Sequence, residues 1–212
     1  MQKRWLLAER PEEAVVESLR QSLNVGEPIG NLLAQRGIHS YDEARDFFRP
    51  TLDQMHDPFL MKDMEKAVKR LNEAVSRQEN ILVYGDYDVD GTTAVTTFYG
   101  FMKSRYKHLE FYIPDRYKEG YGVSVEGIQY AIEHIITVIV TLDCGIKACD
   151  RIREAQSAGI DVIVCDHHMP GEALPNALAV LDPKREDCEY PYDGLSGCGV
   201  GFKLLHAYCL DN

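Results

Sequence analysis

Residues 81–93 read ILVYGDYDVDGTT, an apolar run that passes directly into aspartates at positions 86, 88 and 90 and then a glycine. Three carboxylates so close together repel one another unless cations neutralise them. Carboxylate oxygens are the donors that hard divalent ions such as Mg²⁺ and Mn²⁺ prefer, so Asp86, Asp88 and Asp90 mark a metal site. EF-hand calcium loops share the D-x-D-x-D-G spacing. Such a loop follows a helix and carries Glu at its twelfth position, whereas this one follows a β-rich run and has Thr97 there.

Further chemistry-bearing residues recur downstream. Asp143 in TLDCG ends an apolar run before a glycine turn; it is either a helix N-cap or, beside the aspartate triplet, a carboxylate bridging two metals of the kind found about 3.5–4 Å apart in phosphoryl-transfer sites. The segment VIVCDHHMPG sets Asp166, His167 and His168 in succession. Neighbouring side chains on an extended segment point to opposite sides, which predicts separate tasks: His167 for a metal, His168 for a substrate phosphate, and Asp166 to orient a histidine or the loop. In IPDRYKEGYGVS, Arg116 is suited to pairing with a phosphate and Tyr117 or Tyr121 to stacking on a base; the alternative is a plain solvated loop. Gly197, Gly199 and Gly201 in SGCGVGFKLL open a helix whose bare N–H groups would suit a phosphate, or they serve close packing.

The elements that must position these groups are legible as a pattern. Strands are predicted at 81–84, 109–113, 136–142, 162–165 and 177–181, with helices at 92–106, 125–134 and 147–158. Strand runs nearly continuous in Val, Ile and Leu and separated by helices predict an α/β fold, a parallel sheet with helices on both faces. Asp86 to Asp90, Asp115 and Arg116, Asp143, and Asp166 to His168 then fall at the carboxyl ends of the first four strands, the edge where open parallel sheets bind ligands. Residues 1–62 read as a helical N-terminal segment, with helical periodicity in 14–23 and a capping box, Ser40 with Glu43, opening 41–48. A stronger helix starting at Asp63, with Met64, Val68, Leu71 and Val75 on one face, opens the α/β domain at 63–212.

Composition bounds the partners. The formal charge is −11 over 212 residues, against the basic footprint usual for nucleic-acid binders, but carboxylates that bind metal lose that charge on binding and a basic groove can be local. Lys103, Arg105 and Lys107 form such a cluster, although at a helix end they serve equally to complement its dipole. Six cysteines without a C-x-x-C pair, several in apolar runs, point to a reducing, cytoplasmic setting. No apolar run approaches the roughly 20 residues of a membrane span, and the N-terminus breaks into charge too soon for a secretory signal.

Taken together, GDYDVDGTT, TLDCG and CDHH resemble the three first motifs of the DHH phosphoesterase superfamily, and IPDRYKEGYG and SGCGVGFKLL resemble the connecting segments of its RecJ branch of single-strand-specific DNA exonucleases. The resemblance spans residues 63–212 and, more loosely, the helical segment before them. It implies that Asp86, Asp88, Asp143 and His167 bind two Mn²⁺ or Mg²⁺ ions, that His168 contacts the scissile phosphate, and that a metal-activated water attacks phosphorus in line. It leaves Asp90 either a ligand or a loop stabiliser. It further implies 5′ to 3′ degradation of single-stranded DNA in repair and recombination, alongside a single-strand-binding protein or helicase. Members of the branch carry a fourth aspartate motif and a second domain, neither of which is seen before Asn212, so the chain is expected to be the N-terminal part of a longer nuclease and weakly active or inactive alone. Two competing expectations are a sibling phosphoesterase acting on short oligonucleotides, cyclic dinucleotides or pyrophosphate, and a scaffold that kept the fold without catalysis.

Overall fold

The computed structural model describes residue 4 and residues 6–212. The chain divides into two compact units, residues 1–55 and 56–212. In the first, helices α1 (Glu13–Leu23), α2 (Glu27–Ala34) and α3 (Tyr41–Phe48) are followed by a 3₁₀ turn at Leu52–Gln54. Val16, Leu19, Leu33, Ala34, Ile38 and Ala44 form its small core. The capping box is present as expected: Glu43 N–H donates to Ser40 Oγ, and Ser40 N–H donates back to Glu43 Oε2.

Residues 56–62, grouped above with the N-terminal segment, belong to the second unit: Met61 lies in its core and the buried Lys203 donates Nζ–H to His56 O at 2.7 Å. After a 3₁₀ turn at Pro58–Leu60 this unit runs α4 (Met64–Ser76), β1 (Ile81–Gly85), α5 (Val89–Lys103), β2 (Leu109–Tyr112), α6 (Val125–Glu133), β3 (Val138–Leu142), α7 (Cys149–Ser157), β4 (Asp161–Cys165), β5 (Ala179–Leu181) and α8 (Gly197–Asp211). The five strands form one sheet in the order β2-β1-β3-β4-β5, and every pairing is parallel. Ile81, Val83, Val138, Val140 and Leu142 face α4, α5 and α8, while Leu82, Tyr84 and Ile139 face α6 and α7. Both faces are thus covered, which is why the strands lack polar alternation. The six cysteines are free, with Cys144 and Cys165 buried. No helix among the described residues is long and apolar enough to cross a membrane.

Two features of this order create the site. The chain moves outward from β1 to β2 and then returns to place β3 on the other side of β1, so the reversal opens a crevice between the carboxyl ends of β1 and β3, where ligands bind in such sheets. Register does the rest. Gly85 pairs with Leu142, Leu142 with Cys165 and Cys165 with Leu181. The next residue in each strand is an aspartate, giving a row of Asp86, Asp143, Asp166 and Asp182 across four adjacent strands, all buried.

Candidate metal centre

Strands lie about 4.8 Å apart, so four buried carboxylates in register cannot all be ionised unless each finds a partner. Asp166 finds several: Oδ1 accepts the N–H groups of His167 (2.7 Å) and His168 (3.2 Å) and Nδ1–H of His168 (2.7 Å), and Oδ2 accepts Ile146 N–H (2.9 Å). The others are poorer. Asp86 Oδ1 takes only a long bond from Gly122 N–H (3.4 Å), Oδ2 has none, and burial raises its pKa. Both oxygens of Asp143 lack a hydrogen bond, and burial, followed by the charges of Asp90 and Asp88, pushes its carboxyl up to about 8. Asp182 Oδ2 is also unpartnered, and burial pushes that group up to about 6.

The first loop adds two carboxylates. Asp88 caps α5, Oδ1 accepting Gly91 N–H at 2.9 Å, so the helix begins at Val89 rather than at the expected Thr92. Gly91 is required there, since a Cβ would stand 2.6 Å from Asp86 O. Both oxygens of Asp90 are taken by the start of α8, from Gly197 N–H and Cys198 N–H at 2.8 Å each. Asp90 thereby staples the first loop to α8, while its Oδ2 also lies 3.7 Å from His167 Nε2.

The histidines depart from expectation. They do not diverge; their ring centroids are 4.6 Å apart. The cause is Asp166 Oδ1, which gathers both N–H groups and the His168 ring and so bends the chain as it leaves β4. Asp143, His167 and His168 each offer one ligand atom within 4.8 Å of the others. His167 Nε2 lies 3.1 Å from Asp143 Oδ1, out of line for a hydrogen bond. Two lone-pair donors facing each other unpaired in a buried crevice are what a shared cation would satisfy, so these residues fit a divalent metal. Asp143 itself has φ 63°, a left-handed conformation that Asp tolerates.

The substrate-side expectations divide. The 114–124 loop is ordered: Asp115 Oδ1 accepts Tyr117 and Lys118 N–H, and Tyr84 Oη donates to Gly122 O and accepts Ser124 N–H. Arg116 lies 5.3 Å over the ring of Tyr87, which meets Tyr121 edge-on at 6.2 Å. Tyr117 projects outward, 94 % exposed. Gly199 and Gly201 are corrected. The N–H groups at the start of α8 are not bare, being held by Asp90 and, for Gly199, by Ser196 Oγ at 3.2 Å. Gly201 serves packing, since a Cβ there would come within 2.7 Å of Leu142. Lys103 and Arg105 donate to the carbonyls of Lys107, Leu109 and Phe101, closing the C-terminal end of α5. Sequence reasoning passed over Tyr87, Asp182 and the tight approach of Gly197, whose Cβ would lie 2.3 Å from Asp143 Oδ1. Asp182 had a readable signal, because it follows its strand as Asp143 follows β3.

A family model described as DHH family, N-terminal domain, matches residues 80–212. The chain belongs to the DHH family. Among curated relatives of this DHH chain, the single-stranded-DNA-specific exonuclease RecJ of Bacillus subtilis (strain 168) is 40% identical over 204 residues, covering 96% of this chain and 26% of the relative. The RecJ of Escherichia coli (strain K12) is 36% identical over 180 residues, covering 84% of this chain and 30% of the relative. A crystal structure of RecJ from Thermus thermophilus in complex with Mn²⁺ aligns with a TM-score of 0.74 and 27% identity, over 98% of this chain and 29% of that one. The DHH chain therefore spans less than a third of the length of these RecJ proteins.

Proposed function

We propose that this chain carries the metal centre of a phosphodiesterase that degrades single-stranded DNA from the 5′ end, as a RecJ-type exonuclease in repair and recombination. The observation that supports it most is the in-register aspartate row, in which Asp86 and Asp143 keep unpartnered oxygens beside His167 at the sheet's reversal point. Asp86, Asp88, Asp143 and His167 would hold two Mn²⁺ or Mg²⁺ ions; the exonuclease RecJ structures solved with manganese and magnesium lend weight to either ion. Ions bound there supply Lewis acidity, lowering the pKa of water and offsetting charge on the phosphoryl oxygens.

The chain's own residues do the remaining work in this reading. Asp166 holds Nδ1 of His168 and so fixes the ring at the mouth of the crevice, where it would meet a phosphate. Arg116 over Tyr87, with Tyr117 and Tyr121 nearby, provides a cationic and aromatic track on which successive bases stack. The catalytic unit would be residues 56–212, with the helical N-terminal segment outside it. The protein works in the cytoplasm, and a single-strand-binding protein or helicase presents its strands. The test is Mn²⁺-dependent release of nucleotides from 5′-labelled single-stranded and duplex DNA by the protein carrying this chain. Preference for the single strand, lost in Asp143→Asn, is expected; unchanged turnover in that variant refutes the assignment, and cleavage confined to short oligonucleotides redirects it to a sibling activity.

A further inference from the structure

His168 is held from both sides. Asp166 Oδ1 lies 2.7 Å from Nδ1 and accepts N–H groups on every other contact it makes, so Nδ1 carries the hydrogen and Nε2 presents a lone pair. Tyr121 Oη lies 3.0 Å from that Nε2, and the two rings meet edge-on with centroids 5.9 Å apart. The phenol keeps its proton: burial, then the charges of Asp143, Asp86 and Asp166, raise its pKa. The hydroxyl is therefore the donor. Its placement comes from the loop rather than from chance, because the next residue, Gly122, is pinned by Tyr84 Oη and by Asp86. Tyr121, His168 and Asp166 also line one wall of an open cavity of about 390 Å³ beside the aspartate row, so the chain of bonds faces space a ligand can enter.

We propose that Tyr121 is a positioning residue for His168: its hydroxyl completes an Asp166–His168–Tyr121 chain that fixes the tautomer and ring plane of the imidazole where the crevice meets substrate phosphate. This is separate from stacking on a base, which needs the Tyr121 ring and not its hydroxyl. The catalytic consequence rests on the phosphodiesterase reading; the geometric claim does not. Loss of a hydrogen-bond partner that orients a functional imidazole typically costs about 10–100-fold in activity.

The substitution that separates the roles is Tyr121→Phe, which keeps the ring, with Tyr121→Ala removing both. Ring ¹⁵N shifts of His168, recorded by NMR on metal-free protein and assigned with a His168→Gln variant, report the tautomer directly. Tyr121→Phe is expected to move the Nε2 resonance and, in Mn²⁺-dependent cleavage, to lower kcat by about 10–100-fold with KM nearly unchanged; Tyr121→Ala should raise KM as well. Ring shifts identical to those of the parent overturn the proposal, as does a rise in KM with kcat unchanged in Tyr121→Phe. A parent protein that cleaves no DNA while Tyr121→Phe still moves the His168 shifts supports the positioning chain and counts against the phosphodiesterase reading alone.

Discussion

Replacing Asp143 by Asn should stabilise the metal-free chain while weakening its hold on a cation. Asn matches Asp in shape and adopts φ near 63° as readily, so the change isolates the charge. In the folded chain the carboxyl rises from 3.8 to about 8. At about 1.36 kcal/mol per pH unit that is on the order of 5 kcal/mol of penalty against the ionised form. Relaxation of the loops reduces what is realised, and about 2–4 kcal/mol is a reasonable expectation for a buried group. A carboxyl with a raised folded pKa costs nothing below about pH 4, where it is protonated in both states, and its penalty grows up to about pH 8. The stabilisation by Asp143→Asn should therefore be absent at pH 4 and fully developed at pH 8 to 9. In a chain this size it should raise Tm by roughly 5–10 °C. The assay is urea and thermal unfolding with chelator present across that range. A variant less stable than the parent at pH 8, or a gain independent of pH, would refute the account of a buried carboxylate without a partner.

Gly197→Ala should destabilise the fold by at least about 1–3 kcal/mol and weaken Mn²⁺ binding, because its Cβ would lie 2.3 Å from Asp143 Oδ1 and 2.4 Å from Asp143 Cβ; calorimetry checks both. Asp90→Ala should cost about 1–2 kcal/mol after allowance for partial exposure, by releasing Gly197 and Cys198 N–H at the start of α8, read as a shift in the urea midpoint. Arg116→Ala and Tyr87→Ala should each weaken single-strand affinity by about 1–3 kcal/mol with unfolding curves unchanged; equal affinity would make the loop an ordinary solvated one.

Element types and nearly all the strand positions followed from sequence because the sheet is buried on both faces, which leaves long Val and Ile runs that no amphipathic helix would show. The location of the site was readable for the same reason, since a polar residue that ends an apolar run must sit at the sheet's edge. Register was not readable. That Asp86, Asp143, Asp166 and Asp182 stand in one row depends on which residues pair across strands, and nothing local in the sequence fixes that. The divergence expected of His167 and His168 failed because strand alternation was carried past Cys165, where Asp166 bends the chain. The bare N–H groups expected of the glycine segment are not found because Asp90, 107 residues before Gly197, takes those of Gly197 and Cys198, a contact only the fold creates, and Ser196 takes that of Gly199.

The central claim, that the aspartate row is built for divalent cations, is tested most directly by titrating the purified chain with Mn²⁺ at pH 8, following heat and proton release by calorimetry. The parent should bind and release protons as Asp143 ionises, and Asp86→Ala, Asp143→Asn and His167→Gln should each weaken binding by about tenfold or more while remaining folded. A parent that binds no Mn²⁺, or an Asp143→Asn variant that binds it as tightly with the same proton release, would contradict the account.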